Sequence, residues 1–105
     1  MWTHRRFTWR YVPAEPGISD GLVREVAGVL GRLCQETPQF YRGAWIGGMS
    51  FGILEFRVTI SDRDRWWVGR RARFLVDAVR AETDLPLDLV SEEQTKLPVH
   101  MNRGK

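Results

Sequence analysis

Apolar and polar residues alternate most regularly between residues 51 and 60. One side of an extended chain here is apolar and carries Leu54, Phe56, Val58 and Ile60. The other side is mixed and carries Ile53, Glu55, Arg57 and Thr59. A two-residue period of this kind predicts a strand with one face in a core. Because helical patterns precede and follow it, we expect a central strand of a small sheet with helices on one face.

Two segments repeat their apolar residues with the period of an α-helix. The first runs from Leu22 to Cys34, with Ser19 or Asp20 as candidate N-caps. Its predicted inner side carries Leu22, Val23, Val26, Ala27, Val29, Leu30, Leu33 and Cys34. The second runs from Arg65 to Glu82. Its predicted inner side carries Val68, Ala72, Leu75, Val76 and Val79.

Three further segments favour extended structure. Residues 7–12 alternate aromatic with polar side chains, after a basic lead-in at residues 1–6. Residues 40–46 are rich in β-favouring side chains, and the glycines among residues 47–52 predict a hairpin that leads into the next strand. Residues 87–93 alternate poorly, and their acidic side chains suit an exposed edge strand.

The predicted order is βαββαβ, which is that of the ferredoxin-like, or split βαβ, arrangement. We therefore expect an α+β fold with a four-stranded antiparallel sheet and both helices on one face. Residues 1–95 should form one domain, followed by a tail at residues 96–105 that is flexible or ordered by a partner. The other sheet face stays open, and it includes Arg10 if Trp9 points inward.

Composition sets limits on the environment. The single cysteine, Cys34, excludes an intrachain disulfide and favours a reducing compartment, and its position on the helix predicts a buried thiol. No stretch approaches the length of a membrane span, and the first 30 residues lack the apolar run of a signal peptide, so we expect a cytoplasmic protein. Residues 1–76 carry a net charge of +5 and residues 77–105 one of −2, so the arginine-rich part can meet an acidic surface.

Arginine and tryptophan are most concentrated between residues 63 and 73. In helical projection Trp66, Arg70 and Arg73 point outward, where guanidinium and indole groups can stack on bases or hold an acidic protein. Solvated arginines that cover tryptophan edges are the structural alternative. The candidate binding residues are therefore of two kinds, those on the open sheet face and those on the second helix, namely Arg10, Ile53, Arg57, Trp66, Arg70 and Arg73.

Residues 49–56 resemble the third-strand signature of RNA-recognition motifs. Phe51, Gly52, Leu54 and Phe56 match the signature. The departures are Met49 for a basic residue, Ser50 for a glycine and Ile53 for a base-stacking aromatic. In style, the compact arginine- and tryptophan-rich chain is also similar to short accessory proteins of actinobacterial phages. That resemblance implies a protein that binds a host or phage component inside the host.

Candidate groups for catalysis are sparse. His4 and His100 lie in terminal segments, and no serine or cysteine has a base beside it in sequence. We accordingly expect a non-enzymatic binding module without cofactor or metal, which engages a protein partner or a second copy of itself. A nucleic-acid-binding protein is the alternative, and a small enzyme of unknown reaction is the third hypothesis.

Overall fold

Six elements follow one another in a computed structural model that describes residues 2–12, 20–47 and 53–95. They are β1 (Thr3–Tyr11), α1 (Asp20–Glu36), β2 (Tyr41–Gly47), β3 (Leu54–Asp62), α2 (Arg65–Thr83) and β4 (Asp88–Gln94). The predicted α+β class and βαββαβ order are confirmed. The proposed tail at 96–105 and the glycine-rich hairpin turn at 48–52 lie outside the described residues.

All four strands form one antiparallel sheet in the order β2-β3-β1-β4, a ferredoxin-like arrangement. The two central strands are in register, with Trp9 opposite Phe56 and Phe7 opposite Val58. The hairpin partners β2 and β3 place Tyr41 opposite Ile60. Strands β2 and β4 are therefore the two edges of the sheet.

The apolar side of β3 forms the floor of the core. Leu54, Phe56, Val58 and Ile60 are all buried, as the alternation predicted. α2 packs over β3 and β1, whereas α1 packs against α2 and β2. Trp9 is buried with this layer, so Arg10 points to the open face.

Three sequence expectations need correction, namely the lead-in at residues 1–6, the burial of Ala27 and the burial of the Cys34 thiol. Residues 3–6 are not a lead-in: β3 continues to Asp62, and the backbone of Thr3 to Arg6 pairs with it. Ala27 is exposed, because the buried arc of α1 is narrow and is filled by other residues, namely Val26, Val29, Leu30 and Leu33. Cys34 is half-buried at the margin of this arc. Among the described helices, none has the length and apolar character needed to cross a membrane.

Candidate functional site

The six candidate binding residues lie on opposite sides of the molecule. Arg10 and Arg57 project from the open face of the sheet, and Ile53 directly precedes β3 on that side. The second group lies on the outward face of α2, on the other side of the molecule. It comprises Trp66, Arg70 and Arg73, all of which are exposed. The structure therefore divides the predicted residues between two surfaces.

Most charged side chains on the open sheet face form ion pairs with one another. Glu55 is only 15% exposed, and it accepts a hydrogen bond from Arg10 at 3.1 Å and one from Arg57 at 3.4 Å. The Arg57 guanidinium also lies 4.4 Å from the centre of the Trp45 ring. The Trp45 ring packs directly over Gly47, and a Cβ atom at that position would collide with the ring. This face is thus a paired network rather than a set of free cations.

His4 and Ser61 meet on the same face, a pairing that sequence spacing did not reveal. The Nδ1 atom of His4 lies 2.6 Å from the Ser61 hydroxyl, 57 residues away in the chain. Burial, and secondarily the charge of Arg42, lowers the pKa of His4 from its ordinary value of 6.5. The imidazole is a potential base, but Ser61 is fully buried, so a substrate cannot reach its hydroxyl. Within the described ranges, no group of three His, Cys, Asp or Glu side chains can hold a metal ion.

This pairing predicts a pH-dependent stability. Because the folded protein lowers the pKa of His4, the unfolded chain takes up a proton first as the pH falls below 6.5. The contribution of His4 should be complete above that pH and should be lost as the pH falls through the lowered pKa. Urea unfolding at neutral and at mildly acidic pH measures this effect. The free energy of unfolding should fall less steeply with decreasing pH for His4→Gln than for the wild type. Equal slopes would show that His4 is not responsible.

The outward face of α2 is apolar and basic. Asp64 caps the helix by accepting the N–H of Trp67 at 3.1 Å, which fixes the first turn. Trp66 is 59% exposed, and the Arg70 guanidinium lies 5.0 Å from the centre of its ring. A groove of about 880 Å³ runs along this face and is lined by Arg65, Trp66, Gly69, Arg70, Arg73, Phe74 and Asp77.

A second groove, of about 680 Å³, lies between α2 and the edge strand β4. Phe7 and Trp9 of the core contribute to its walls, together with Val76 and Leu89. Leu89 is 53% exposed although it belongs to a strand. The two grooves share Gly69, Arg73 and Asp77, so they form one continuous surface. The sequence indicated both the exposed edge and the basic helix, but not that they adjoin.

An aromatic recess of about 460 Å³ lies beside the first turn of α2. We define it by its lining residues, Trp2, Gln39, Phe40, Asp62, Arg63, Trp67 and Arg71. This recess was not predicted from the sequence, because Trp2 belongs to the segment that was interpreted as a lead-in. Pairing of residues 3–6 with β3 brings Trp2 to Phe40, with the two rings stacked 6.1 Å apart.

Comparisons with known proteins bear on the fold. No family model matches the sequence, and no curated protein matches it. Among solved structures, the crystal structure of a hydantoinase/carbamoylase family amidase from Burkholderia ambifaria matches with a TM-score of 0.52 and 20% sequence identity. The match covers 90% of this chain and 28% of that chain.

This match contradicts the expectation of a non-enzymatic chain, because the fold recurs as part of an enzyme. The present chain spans little more than a quarter of the amidase. At 20% identity the likeness concerns the fold and not the reaction. The chain is thus similar in fold to one part of a hydantoinase/carbamoylase family amidase.

Proposed function

We propose that this chain is an interaction module that pairs with a second copy of itself through α2 and β4. The α2–β4 surface consists of Trp66, Gly69, Phe74, Val76 and Leu89. The observation that carries the proposal is the edge of β4, which pairs with no other described strand and lies beside an apolar groove. Such a module can work as part of a larger assembly, and the likeness to one part of an amidase is compatible with this role.

The edge of β4 offers backbone groups for pairing. Among the described strands β4 has one neighbour, β1, and the N–H of Thr95 donates to the His4 carbonyl at 3.0 Å. Since N–H groups alternate in direction along a strand, those of Glu92 and Gln94 point away from β1. An unpaired edge with exposed apolar side chains is a template for another strand. The opposite edge, β2, is supported by α1.

The helix beside this edge is suited to close contact. Phe74 and Trp66 expose large apolar areas on α2. Between them, a Cβ atom at Gly69 would meet no atom within 4 Å. Gly69 therefore leaves open space on this face, which a second helix can occupy.

The charges on this surface suit a two-fold contact. In such a contact, residue i of one copy meets residue j of the other, and the reverse contact forms as well. Arg70 and Arg73 lie near Asp77 and Glu92 around the same grooves. One copy can therefore place its arginines against the carboxylates of the other. The open sheet face is a weaker candidate because its charges already pair internally.

We expect concentration-dependent dimers in sedimentation velocity experiments. Leu89→Arg places a charge at the pairing edge, and Gly69→Arg blocks the approach of a second helix. Each substitution should raise the dimer dissociation constant at least about tenfold, or about 1.4 kcal/mol.

Gly28→Arg is the matched control. Gly28 lies on the exposed side of α1, and a Cβ atom there also meets nothing within 4 Å. The two glycine substitutions should raise helix stability by similar amounts, but only Gly69→Arg should weaken dimers. A protein that is monomeric at every accessible concentration would contradict the proposal, as would equal effects of the two variants.

Nucleic-acid binding is the second candidate, favoured by the exposed Trp66 with Arg70 stacked on it. The resemblance of residues 49–56 to RNA-recognition motifs belongs to this alternative, and the phage-like style fits either candidate. Phosphate contacts would make the affinity for nucleic acid fall steeply with increasing salt concentration. The affinity of an apolar dimer contact would depend little on the salt concentration. A gel shift at two salt concentrations therefore separates the candidates.

A further inference from the structure

We propose that the aromatic recess binds a planar aromatic ring that carries an anionic group, specifically a nucleoside monophosphate. The recess shares no residue with the α2–β4 surface, so the proposal does not depend on self-association. It follows from three properties of the recess, which are its exposed aromatic rings, its two guanidinium groups and its size.

The aromatic walls offer faces for stacking. Trp2 and Trp67 are both nearly half exposed although they line a recess. Trp2 is held in place by stacking on Phe40, with an angle of 24° between the rings. Trp67 is held edge-on by Trp66, at a ring distance of 4.8 Å. Fixed, exposed indole faces favour a flat ligand, and base–aromatic stacking contributes about 1–3 kcal/mol.

The cationic part of the recess is also held in place. The Arg71 guanidinium lies 3.6 Å from the centre of the Phe40 ring, and its Nε donates to Asp62 at 3.0 Å. The Tyr41 hydroxyl also forms a hydrogen bond with this guanidinium. A guanidinium has five N–H donors, so Arg71 can still donate to phosphate oxygens beside these two contacts.

The carboxylate of Asp62 does not repel an anion strongly, because both of its oxygens already accept hydrogen bonds from the protein. Its Oδ1 accepts the backbone N–H of Arg63 at 2.7 Å, and its Oδ2 accepts Arg71 Nε. The exposed side chain of Arg63 then adds a second positive charge without a protein partner among the described residues. The recess therefore combines a net positive charge with apolar rings.

The size fits one nucleotide. A volume of about 460 Å³ lies at the lower end of the range for small-molecule sites, about 300–1,000 Å³. An extended nucleic acid strand would leave most of its length outside the recess. A single ring with one phosphate can contact both the aromatic walls and the guanidinium groups.

The test is isothermal titration calorimetry with adenosine monophosphate, adenosine and inorganic phosphate as separate probes. We expect adenosine monophosphate to bind at least about tenfold more tightly than either part alone, since stacking and charge act together. Arg63→Glu and Trp67→Ala should each weaken this binding at least about tenfold. Both residues are exposed, so the variants should fold.

Arg65→Glu is the matched control, since it reverses an exposed charge two residues away and outside the recess. It should leave binding within about twofold of the wild type. Equal weakening by Arg63→Glu and Arg65→Glu would overturn the proposal in favour of general charge attraction. Failure of the mononucleotide to bind, or equal binding of adenosine, would also overturn it. An oligonucleotide that binds where the mononucleotide does not would point instead to a nucleic-acid interface.

Discussion

Replacement of Phe56 by alanine should lower the free energy of unfolding by about 3–5 kcal/mol. Phe56 is 0% exposed, and its ring lies 5.4 Å from that of Trp9 on the neighbouring strand. Trp9 in turn stacks on Phe7 at 5.5 Å. Removal of the Phe56 ring opens a cavity in the middle of this series, and the strands cannot close it without losing their register. Urea denaturation followed by circular dichroism measures the loss.

Phe74→Ala is the control for this prediction, because it removes the same ring from a position that is 57% exposed. It should change the stability of the monomer by no more than about 0.5 kcal/mol. Both variants must be compared at low protein concentration, since pairing through α2 and β4 would add to the apparent stability. Similar losses for the two variants would mean that β3 does not carry the core.

Asp62→Ala should have the second largest effect, a loss of about 1.5–3 kcal/mol. The Asp62 side chain is buried, and it accepts hydrogen bonds from the Arg63 backbone and from Arg71 Nε. Without the carboxylate, the Arg63 N–H is left unpaired and the Arg71 guanidinium loses the partner that holds it against Phe40. Chemical denaturation measures the stability.

Asp77→Ala is a suitable comparison, because Asp77 is exposed on α2 and forms no ion pair within the described residues. We expect it to leave the monomer nearly as stable as the wild type. If Asp62→Ala were equally mild, the buried carboxylate would not be what organises the recess.

The fold followed closely from the sequence because its period-2 and period-3.6 patterns were strong. The alternation from Leu54 to Ile60 identified the core side of β3, and the poor alternation near Leu89 identified an edge. The errors have physical causes. Residues 3–6 carry no apolar alternation, so only the tertiary pairing with β3 makes them a strand. Ala27 lies just outside the buried arc of α1, which is narrower than the helical projection indicated.

The candidate sites were harder to predict, since each depends on long-range contacts. His4 lies 57 residues from Ser61, and Arg10 lies 45 residues from Glu55. The spacing of residues along the chain cannot predict such pairs. The outward direction of Trp66 and Arg70 was predictable from helix geometry alone, whereas the neighbourhood of Trp2 required the completed sheet.

The central position of β1 has a consequence for synthesis on the ribosome. Its two neighbours in the sheet, β3 and β4, both come later in the chain. β1 must therefore wait for residues 54–62, and for residues 88–94 on its other side. Contacts that join distant parts of a chain form slowly. During translation, the aromatic side chains of this early segment remain uncovered until almost the last element has left the exit tunnel.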